Sequence, residues 1–494
     1  MKKIHFIILI SAAVLITTGG CKKYLGEPSK KLATIETVEQ LEALLNNAAR
    51  FVQENNYTAT YSTDDTEIPK EAYKNNAGQF TPEALYFYLF TNDQVANNIA
   101  SDGLWTGEYN KIFTANVVLT NIDKATGDEA LRQRVKADAY FVRGYSYWLL
   151  ANYYCLPYSA GNENAKGLPL KVSTVFTESL VRATLKETYD FILADMAEAA
   201  KTPVNDVDPK LPWRASKKAV AAFMSRYYLF AGNYDKTIEQ ADIALASSSV
   251  QLKDYKTLVA GTPVSYASPN VTINFSELND YTATKYYYWP EFYYLRFTYT
   301  PGWWFLPSTA LVNLYDQPND LRYKWFMFPQ GGRYFSPGTA NLYRYQIFQT
   351  GSLLPSGPTI AEVLLNKAEA QARKDQPGDA MTTVNLLRDK RMSTSLPLSA
   401  ASKAEAITKV LEERRRELPF VTRWYDIRRF SVNDYPADDV TITRDFFQLN
   451  NNVVNTDVPQ TYSLPAGSRR YAIPINGVEI GASKNQIEQN DYNN

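Results

Sequence analysis

Residues 219–247 read AVAAFMSRYYLFAGNYDKTIEQADIALAS and carry the clearest structural signal in this 494-residue chain. Alanines alternate with large aromatic residues up to Phe230, a pattern typical of a closely packed helix. Gly232 and Asn233 then interrupt the pattern, and an amphipathic second helix starts at Tyr234. Ala244 lies twelve residues after Gly232, where a small side chain lets two helices approach closely. The stretch therefore predicts a helix, a turn and a second helix.

This unit resembles a tetratricopeptide repeat, which is built from such a helix pair. A second copy lies far along the chain, where residues 360–373 (IAEVLLNKAEAQAR) and 380–390 flank a turn at Pro377. Its small positions are Ala368, Ala370 and Ala372. Further helices are predicted at about 105–123, 129–154 and 185–201. Stacked helix pairs would bury their apolar faces against one another as a solenoid.

Between the repeats the sequence loses its helical period. Residues 248–357 are rich in Tyr, Trp, Pro and Gly, and include KYYYWPEFYYLRFTYTPGWWF (285–305) and YKWFMF (323–328). Residues 56–104 and 431–494 are also predicted to be irregular. Such stretches favour short strands and long ordered loops packed on something rigid. The predicted fold is mainly α: a tetratricopeptide-like solenoid from helical repeats at about 105–247 and 358–430, with a loop-rich, short-strand second face, all in one compound domain, 35–494.

The first 20 residues are predicted to be an export signal. Lys2 and Lys3 precede an apolar run, Ile4–Ile16, that is shorter than the roughly 20 residues needed to cross a bilayer. Small residues then lead to Cys21, which resembles the lipobox of bacterial lipoproteins, although Thr18 stands where leucine is usual. The resemblance implies that Cys21 is acylated and that residues 21–34 form a tether; the alternative is an ordinary cleaved signal.

Removing this signal narrows the chemistry that is available. The lone histidine, His5, is lost, and loss of Lys2 and Lys3 leaves 50 of the 52 basic residues against 52 acidic ones. Catalysis by Ser-His-Asp or Cys-His groups and histidine-bearing zinc sites are therefore excluded. The neutral balance gives no electrostatic case for nucleic acid. We expect no enzyme. The remote alternative is a glycoside hydrolase that uses two carboxylates, either Asp64 with Asp65 or Asp316 with Asp320.

Residues 412–430, EERRRELPFVTRWYDIRRF, resemble the signature of the SusD/RagB family, the surface glycan-binding lipoproteins of Bacteroidetes. Other segments that fall in the order of that family extend the resemblance over nearly the whole chain. They are RATLKETYDFILADM (182–196), LVNLYDQPNDLR (311–322) and YAIPINGVEI (471–480). By their own chemistry, Arg423, Trp424 and Asp426 suggest a helix end locked against the solenoid, so we favour a structural role for the signature over ligand contact.

The resemblance implies a SusD-like fold and a function without catalysis. It places the protein at the outer membrane, held by a lipid anchor and facing the cell surface. It implies capture of oligosaccharides on an aromatic platform and their transfer to a SusC-like TonB-dependent transporter. It implies no cofactor, and it leaves open whether a calcium ion binds among the carboxylates. A peptide ligand is the alternative within the same role, and a repeat scaffold that binds only protein is a further one.

The platform is predicted within the aromatic segment 285–305. Trp303 and Trp304 follow the turn at Pro301–Gly302, which could turn their rings outward. The other candidates in this segment are Tyr287, Tyr288 and Trp289. Asp64, Asp65, Tyr73 and Tyr88 are second-rank candidates from the first irregular segment, because family members build the site from both. The alternative for each ring is a place in the core, since aromatic residues make up 14% of the chain.

Overall fold

A computed structural model describes residues 35–99, 102–261, 263–267, 270–273, 276–279, 287, 289–299, 305–329, 342–348, 353–450 and 452–492. The predicted signal, Cys21 and the tether lie outside these ranges. Within them, no helix combines the length and the apolar character that a membrane crossing needs.

The N-terminal part consists of short helices. They are α1 (Val38–Leu45), α2 (Ala48–Phe51), α3 (Tyr57–Tyr61), α4 (Lys70–Asn76), α5 (Pro82–Tyr88) and α6 (Asn92–Asn98), with strand β1 (Gln53–Glu54) between α2 and α3. The side chains of Thr37 and Thr81 cap α1 and α5 by accepting a backbone N–H of the first turn. Residues 56–104, predicted to be irregular, are thus largely helical. The prediction is wrong because helices this short have too few turns to show a helical period in the sequence.

Long helices then form the solenoid. They are α7 (Gly103–Asn121), α8 (Glu129–Tyr154), α9 (Leu185–Ala199), α10 (Lys217–Phe230) and α11 (Tyr234–Leu245). Each packs against its neighbour in the chain, with the closest pairing between α7 and α8, α8 and α9, and α10 and α11. Gly232 between α10 and α11 has a φ of +70°, a left-handed conformation that glycine adopts without steric cost. The predicted turn is therefore present.

The middle region carries short strands and two short helices. They are β2 (Val264–Ala267), β3 (Asn270–Ile273), β4 (Phe297–Tyr299), α12 (Thr309–Val312), α13 (Leu321–Phe326), β5 (Met327–Pro329), β6 (Tyr343–Tyr345) and β7 (Leu353–Pro355). Strand β4 is central to a small sheet, parallel to β1 and antiparallel to β7. Antiparallel pairs β2–β3 and β5–β6 complete this region.

The chain returns to the solenoid and ends in a hairpin. These elements are α14 (Ile360–Arg373), α15 (Pro377–Arg391), α16 (Lys403–Glu417), α17 (Val421–Phe430), β8 (Ile442–Asn450), β9 (Val453–Leu464) and α18 (Gly477–Ala482). The prediction that residues 431–494 are irregular is wrong for 442–464, which form the antiparallel pair β8–β9. Burial alternates along the start of β8, where Ile442, Arg444 and Phe446 point inward, a period-two signal typical of a half-buried strand.

The two sequence-distant repeats are neighbours in space. Helix α11 packs directly on α14, and α14 also contacts α15 and α16. Ala244, Ala368 and Ala372 have no exposed surface, so small side chains allow this close approach. The mainly α, tetratricopeptide-like fold with a short-strand second face is confirmed.

Candidate functional site

Two acidic residues predicted for the site, Asp64 and Asp65, are bound by arginines of the signature segment. Arg423 donates to Asp64 from Nε to Oδ1 and from Nη2 to Oδ2, each at 2.8 Å. Arg415 Nε donates to Asp65 Oδ1 at 2.6 Å, and the backbone N–H of Phe420 donates to Asp65 Oδ2 at 2.9 Å. Both carboxylates are therefore engaged inside the protein.

These contacts and burial shift the pKa values of the two groups in opposite directions. Burial acts to raise the pKa of Asp64, but Arg423 and Arg415 outweigh it and hold the pKa at about 2. For Asp65, burial wins over the pull of Arg415 and raises the pKa, and the adjacent charge of Asp64 adds to the rise. Neither group is free to contact a ligand without giving up an arginine.

The same acidic segment joins the two irregular regions. The backbone N–H of Ser308 donates to the Asp65 carbonyl at 2.6 Å, and the Glu67 N–H donates to the Leu306 carbonyl at 3.1 Å. The Thr309 N–H donates to Glu67 Oε2 at 2.8 Å. We call residues 64–67 and 305–309 together the junction. It fixes the chain immediately after Trp303 and Trp304, which themselves lie outside the described residues.

Aromatic rings extend from the junction. Phe305 and Tyr345 both pack on Phe420, with ring centroids 5.3 and 5.5 Å away, and the Tyr345 N–H donates to the Phe305 carbonyl at 2.8 Å. Further along β6, Tyr343 shares a 2.9 Å hydroxyl hydrogen bond with Tyr323. Tyr323 and Tyr343 are only partly buried. No motif in the sequence marks these two tyrosines, although the segment YKWFMF contains Tyr323 and the alternation in β6 places Tyr343 on the same face as Tyr345.

Three of the predicted platform rings are core residues. Trp289 is 7% exposed and packs on Tyr255 and Phe348. Tyr73 is equally buried against Phe80 and the hairpin, while Tyr88 is 3% exposed and its hydroxyl accepts the Ile68 N–H. A buried ring cannot offer its face to a ligand, so we correct the expectation that these rings are exposed.

The remaining candidates have mixed positions. Tyr287 is half-buried, with its ring 6.4 Å from Trp213 in an edge-to-face contact. Tyr288, like Trp303 and Trp304, lies outside the described residues. For these four aromatic side chains the ligand role stays a prediction.

The signature segment itself is a buried ion-pair network. Glu413 and Arg414 on α16 are at most 1% exposed. Arg414 Nε donates to Asp426 at 2.8 Å, and Arg429 on α17 binds both carboxylate oxygens of Glu369 on α14 at 2.6 Å. A buried charge requires a partner. The charged residues of the signature segment therefore hold α17 against the solenoid and do not form a solvated face.

The carboxylate pairs considered for hydrolysis are engaged by other side chains. Asp320 is buried and receives two side-chain hydrogen bonds from Arg322, at 2.9 and 2.8 Å, and Asp64 and Asp65 are bound as described above. The described residues contain no group of three His, Cys, Asp or Glu side chains that could hold a metal ion. The carboxylates of Asp64 and Asp65 hold the side chains of Arg423 and Arg415 at the junction.

A separate apolar groove lies beside α7 and has a volume of about 430 Å³. Phe113 and Phe176 stack on each other at its mouth with centroids 6.1 Å apart, and Phe176 is 91% exposed. The groove shares no residue with the junction.

Comparison with known proteins gives the family. Residues 23–229 match a SusD-like family described as "Starch-binding associating with outer membrane", and residues 360–492 match the SusD family. SusD-like protein P2 of Formosa agariphila is 24% identical over 434 residues, which cover 78% of this chain and 79% of that protein.

Solved structures have the same fold. A SusD superfamily protein from Bacteroides thetaiotaomicron superposes with a TM-score of 0.64 at 19% identity, over 92% of this chain and 100% of that one. A laminarin-binding SusD-like protein superposes with a TM-score of 0.59 at 17% identity, over 92% of this chain and 98% of that one. The two family models, which together match residues 23–229 and 360–492, show that the chain belongs to the SusD/RagB family.

Proposed function

We propose that this protein is a cell-surface binding protein that captures oligosaccharides on aromatic side chains next to the junction. The observation that carries the proposal is the junction. Its hydrogen bonds join residues 64–67 of the first segment predicted to be irregular to residues 305–309 of the second. Family membership supports a carbohydrate ligand, since one matching family is described as starch-binding and a structural relative as laminarin-binding.

The chemistry of the surrounding side chains suits a sugar. The C–H faces of a pyranose are apolar and stack on aromatic ring faces, while hydroxyl groups need polar partners at the rim. Tyr323 and Tyr343 are partly exposed and carry hydroxyl groups. In the sequence, Trp303 and Trp304 follow Pro301 and Gly302 and come directly before Phe305. We assign the platform to these four side chains.

We further propose a lipid anchor at Cys21, location at the outer membrane, and transfer of the ligand to a SusC-like TonB-dependent transporter. The description of the family that matches residues 23–229 supports the membrane association. In this role the protein binds and releases its ligand unchanged, so it needs no catalytic group and no cofactor.

Calorimetric titration of the full chain in detergent tests the binding role. The ligands are a panel of plant, host and microbial oligosaccharides and a peptide digest. The variants are Trp303→Ala, Trp304→Ala and Tyr343→Ala. Phe176→Ala is the matched control, because that ring is exposed in the separate groove. Removing a central stacking ring typically weakens binding by about 2 kcal/mol or more.

Binding of one glycan class, lost in a platform variant and retained by Phe176→Ala, is the expected result. If all three variants retained glycan binding, the assigned platform would be refuted and the proposed oligosaccharide binding would still hold. Binding of peptides with no glycan signal would refute the oligosaccharide ligand.

Fractionation of cells tests the anchor separately. We expect the full chain in the outer-membrane fraction and a Cys21→Ala variant released from it, since one acyl chain contributes about 0.8 kcal/mol per buried CH₂ group. A Cys21→Ala variant that stays at the membrane would contradict lipidation.

A further inference from the structure

A polar cavity of about 300 Å³ lies at the start of α7 and shares no lining residue with the junction. Its wall is formed by α5 and α6, by the end of α8, and by the segment around Pro474 and Asn476. This volume is at the lower end of the range for pockets that hold small ligands. The cavity contains none of the residues predicted from the sequence for a ligand.

Two carboxyl groups, Glu83 and Asp102, face this cavity, and no Lys or Arg is among the residues that line it. Asp102 accepts hydrogen bonds from the backbone N–H groups of Leu104 and Trp105, each at 3.1 Å, and from the Tyr154 hydroxyl at 2.6 Å. The Glu83 carboxylate makes no hydrogen bond or ion pair with another described residue. A half-buried anion therefore lies in the cavity without a counter-charge.

The electrostatics agree with this geometry. Burial raises the pKa of Glu83, and the nearby charge of Asp102 raises it further. Burial also raises the pKa of Asp102 above its usual value, against the hydrogen bonds from Tyr154 and the helix. No arginine or lysine acts to lower either pKa. A cation in the cavity would relieve this repulsion.

The shape and lining favour an organic cation over a metal ion. Calcium requires six to eight oxygen ligands, whereas the described residues hold no group of three metal-ligating acids. Phe87, Tyr153 and Tyr154 back the cavity wall with little exposed ring surface, and the volume of about 300 Å³ leaves room for a cation attached to carbon. Thr58 Oγ1, 2.9 Å from the Tyr153 hydroxyl, and the amides of Asn55 and Asn476 add polar groups to the wall.

We propose that this cavity binds a small molecule through a primary ammonium group, with Glu83 as the ion-pair partner of that group. Two carriers of an ammonium group fit the volume: an amino sugar and an aliphatic amine such as a lysine side chain. The site shares no residue with the junction, so this inference goes beyond the proposed oligosaccharide platform and does not depend on it.

Calorimetric titration of the full chain with D-glucosamine, N-acetyl-D-glucosamine, D-glucose and n-butylamine at neutral pH tests the site. We expect the two amines to bind, and N-acetyl-D-glucosamine and D-glucose to bind at least about tenfold more weakly than D-glucosamine, because they lack the charged group that pairs with Glu83. Glucosamine binding more tightly than n-butylamine assigns the amino sugar, and the reverse order assigns the aliphatic amine.

Two variants separate the ion pair from the cavity itself. Glu83→Gln keeps the size of the side chain and should weaken amine binding at least about tenfold, while Ile99→Trp should block the cavity and abolish binding. Glu71→Gln is the matched control, because Glu71 has a side chain that is 78% exposed. Thermal melts of all variants confirm that they fold. Equal affinity for glucosamine and its N-acetyl form, or unchanged amine binding in folded Glu83→Gln protein, would overturn the proposal.

Discussion

Arg423 on α17 binds Asp64 through two parallel hydrogen bonds of 2.8 Å, across 359 residues of sequence. Since the fork of a guanidinium matches the two oxygens of a carboxylate, the pair fixes orientation as well as distance. Ser308 Oγ donates to the Asp64 carbonyl at 2.7 Å. Together with the pair of Arg415 and Asp65, this pair connects the family signature to the chain that follows Trp303 and Trp304.

Replacing Arg423 by lysine should weaken this connection. Lysine keeps the charge but has a single ammonium group, which cannot reproduce the paired contact. We expect Arg423→Lys to lower the free energy of unfolding by about 1–3 kcal/mol, measured by urea denaturation. Arg50→Lys is the control, since Arg50 is exposed and donates a hydrogen bond to Thr114, and it should change stability by less than about 0.5 kcal/mol. Equal effects of the two variants would contradict a special role for the Arg423–Asp64 pair.

Asp64 should make stability depend on acid pH. Its pKa falls from an ordinary 3.8 to about 2 in the folded chain. A lowered folded pKa contributes stability that is present above pH 4 and is lost as the pH falls towards 2. The free-energy difference between the native chain and Asp64→Asn should therefore shrink by about 2 kcal/mol between pH 6 and pH 2.

Urea denaturation at several pH values measures that difference. Asp123→Asn is the comparison variant, because Asp123 is 67% exposed beside Lys136 and an exposed ion pair contributes little to stability. A constant difference between the native chain and Asp64→Asn would show that Asp64 titrates normally.

The helical repeats were predictable because their signal is local. The period of residues 219–247 and the glycine at 232 lie within one helix pair, and the small residue at Ala244 reports the close helix contact directly. Short helices such as Lys70–Asn76 have fewer than three turns, so no period distinguishes them from a loop. The order and type of the long elements could thus be read, and the shape of residues 56–104 could not.

The candidate site was predictable only in part. Asp64 and Asp65 were singled out as polar groups of the first irregular segment, but their arginine partners lie more than three hundred residues away, and no local pattern reports such a pairing. A tyrosine suits a core as well as a surface, so the sequence alone does not show that Tyr88 is buried. Its burial follows from Arg444, whose guanidinium lies 3.9 Å from the ring centroid, a contact that depends on the tertiary fold.

Gly357 should not tolerate a side chain. A Cβ added there would lie 2.1 Å from the Tyr294 carbonyl oxygen and 2.8 Å from the backbone nitrogen of Arg296, so the backbone would have to move. We expect Gly357→Ala to lower the free energy of unfolding by about 1–3 kcal/mol or more. Gly378→Ala is the matched control, because nothing lies within 4 Å of its added Cβ at the start of α15. Urea denaturation should find that control unchanged or slightly more stable, and equal losses in both variants would refute the close contact.

Ala368 tests whether the packing of α14 on α15 and α16 depends on small side chains. It has no exposed surface on α14 and packs in a cluster with Ala380 and Ala406. Because interiors are close-packed, the extra carbon atoms of Ala368→Leu should force α14 away from its neighbours and lower the free energy of unfolding by about 1–3 kcal/mol. Ala404→Leu makes the same change at an exposed position of α16 and should alter stability by less than about 0.5 kcal/mol. If calorimetric melting showed the same transition for both variants, the repeats would not rely on close contact at Ala368, and another feature would have to hold α14 in the solenoid.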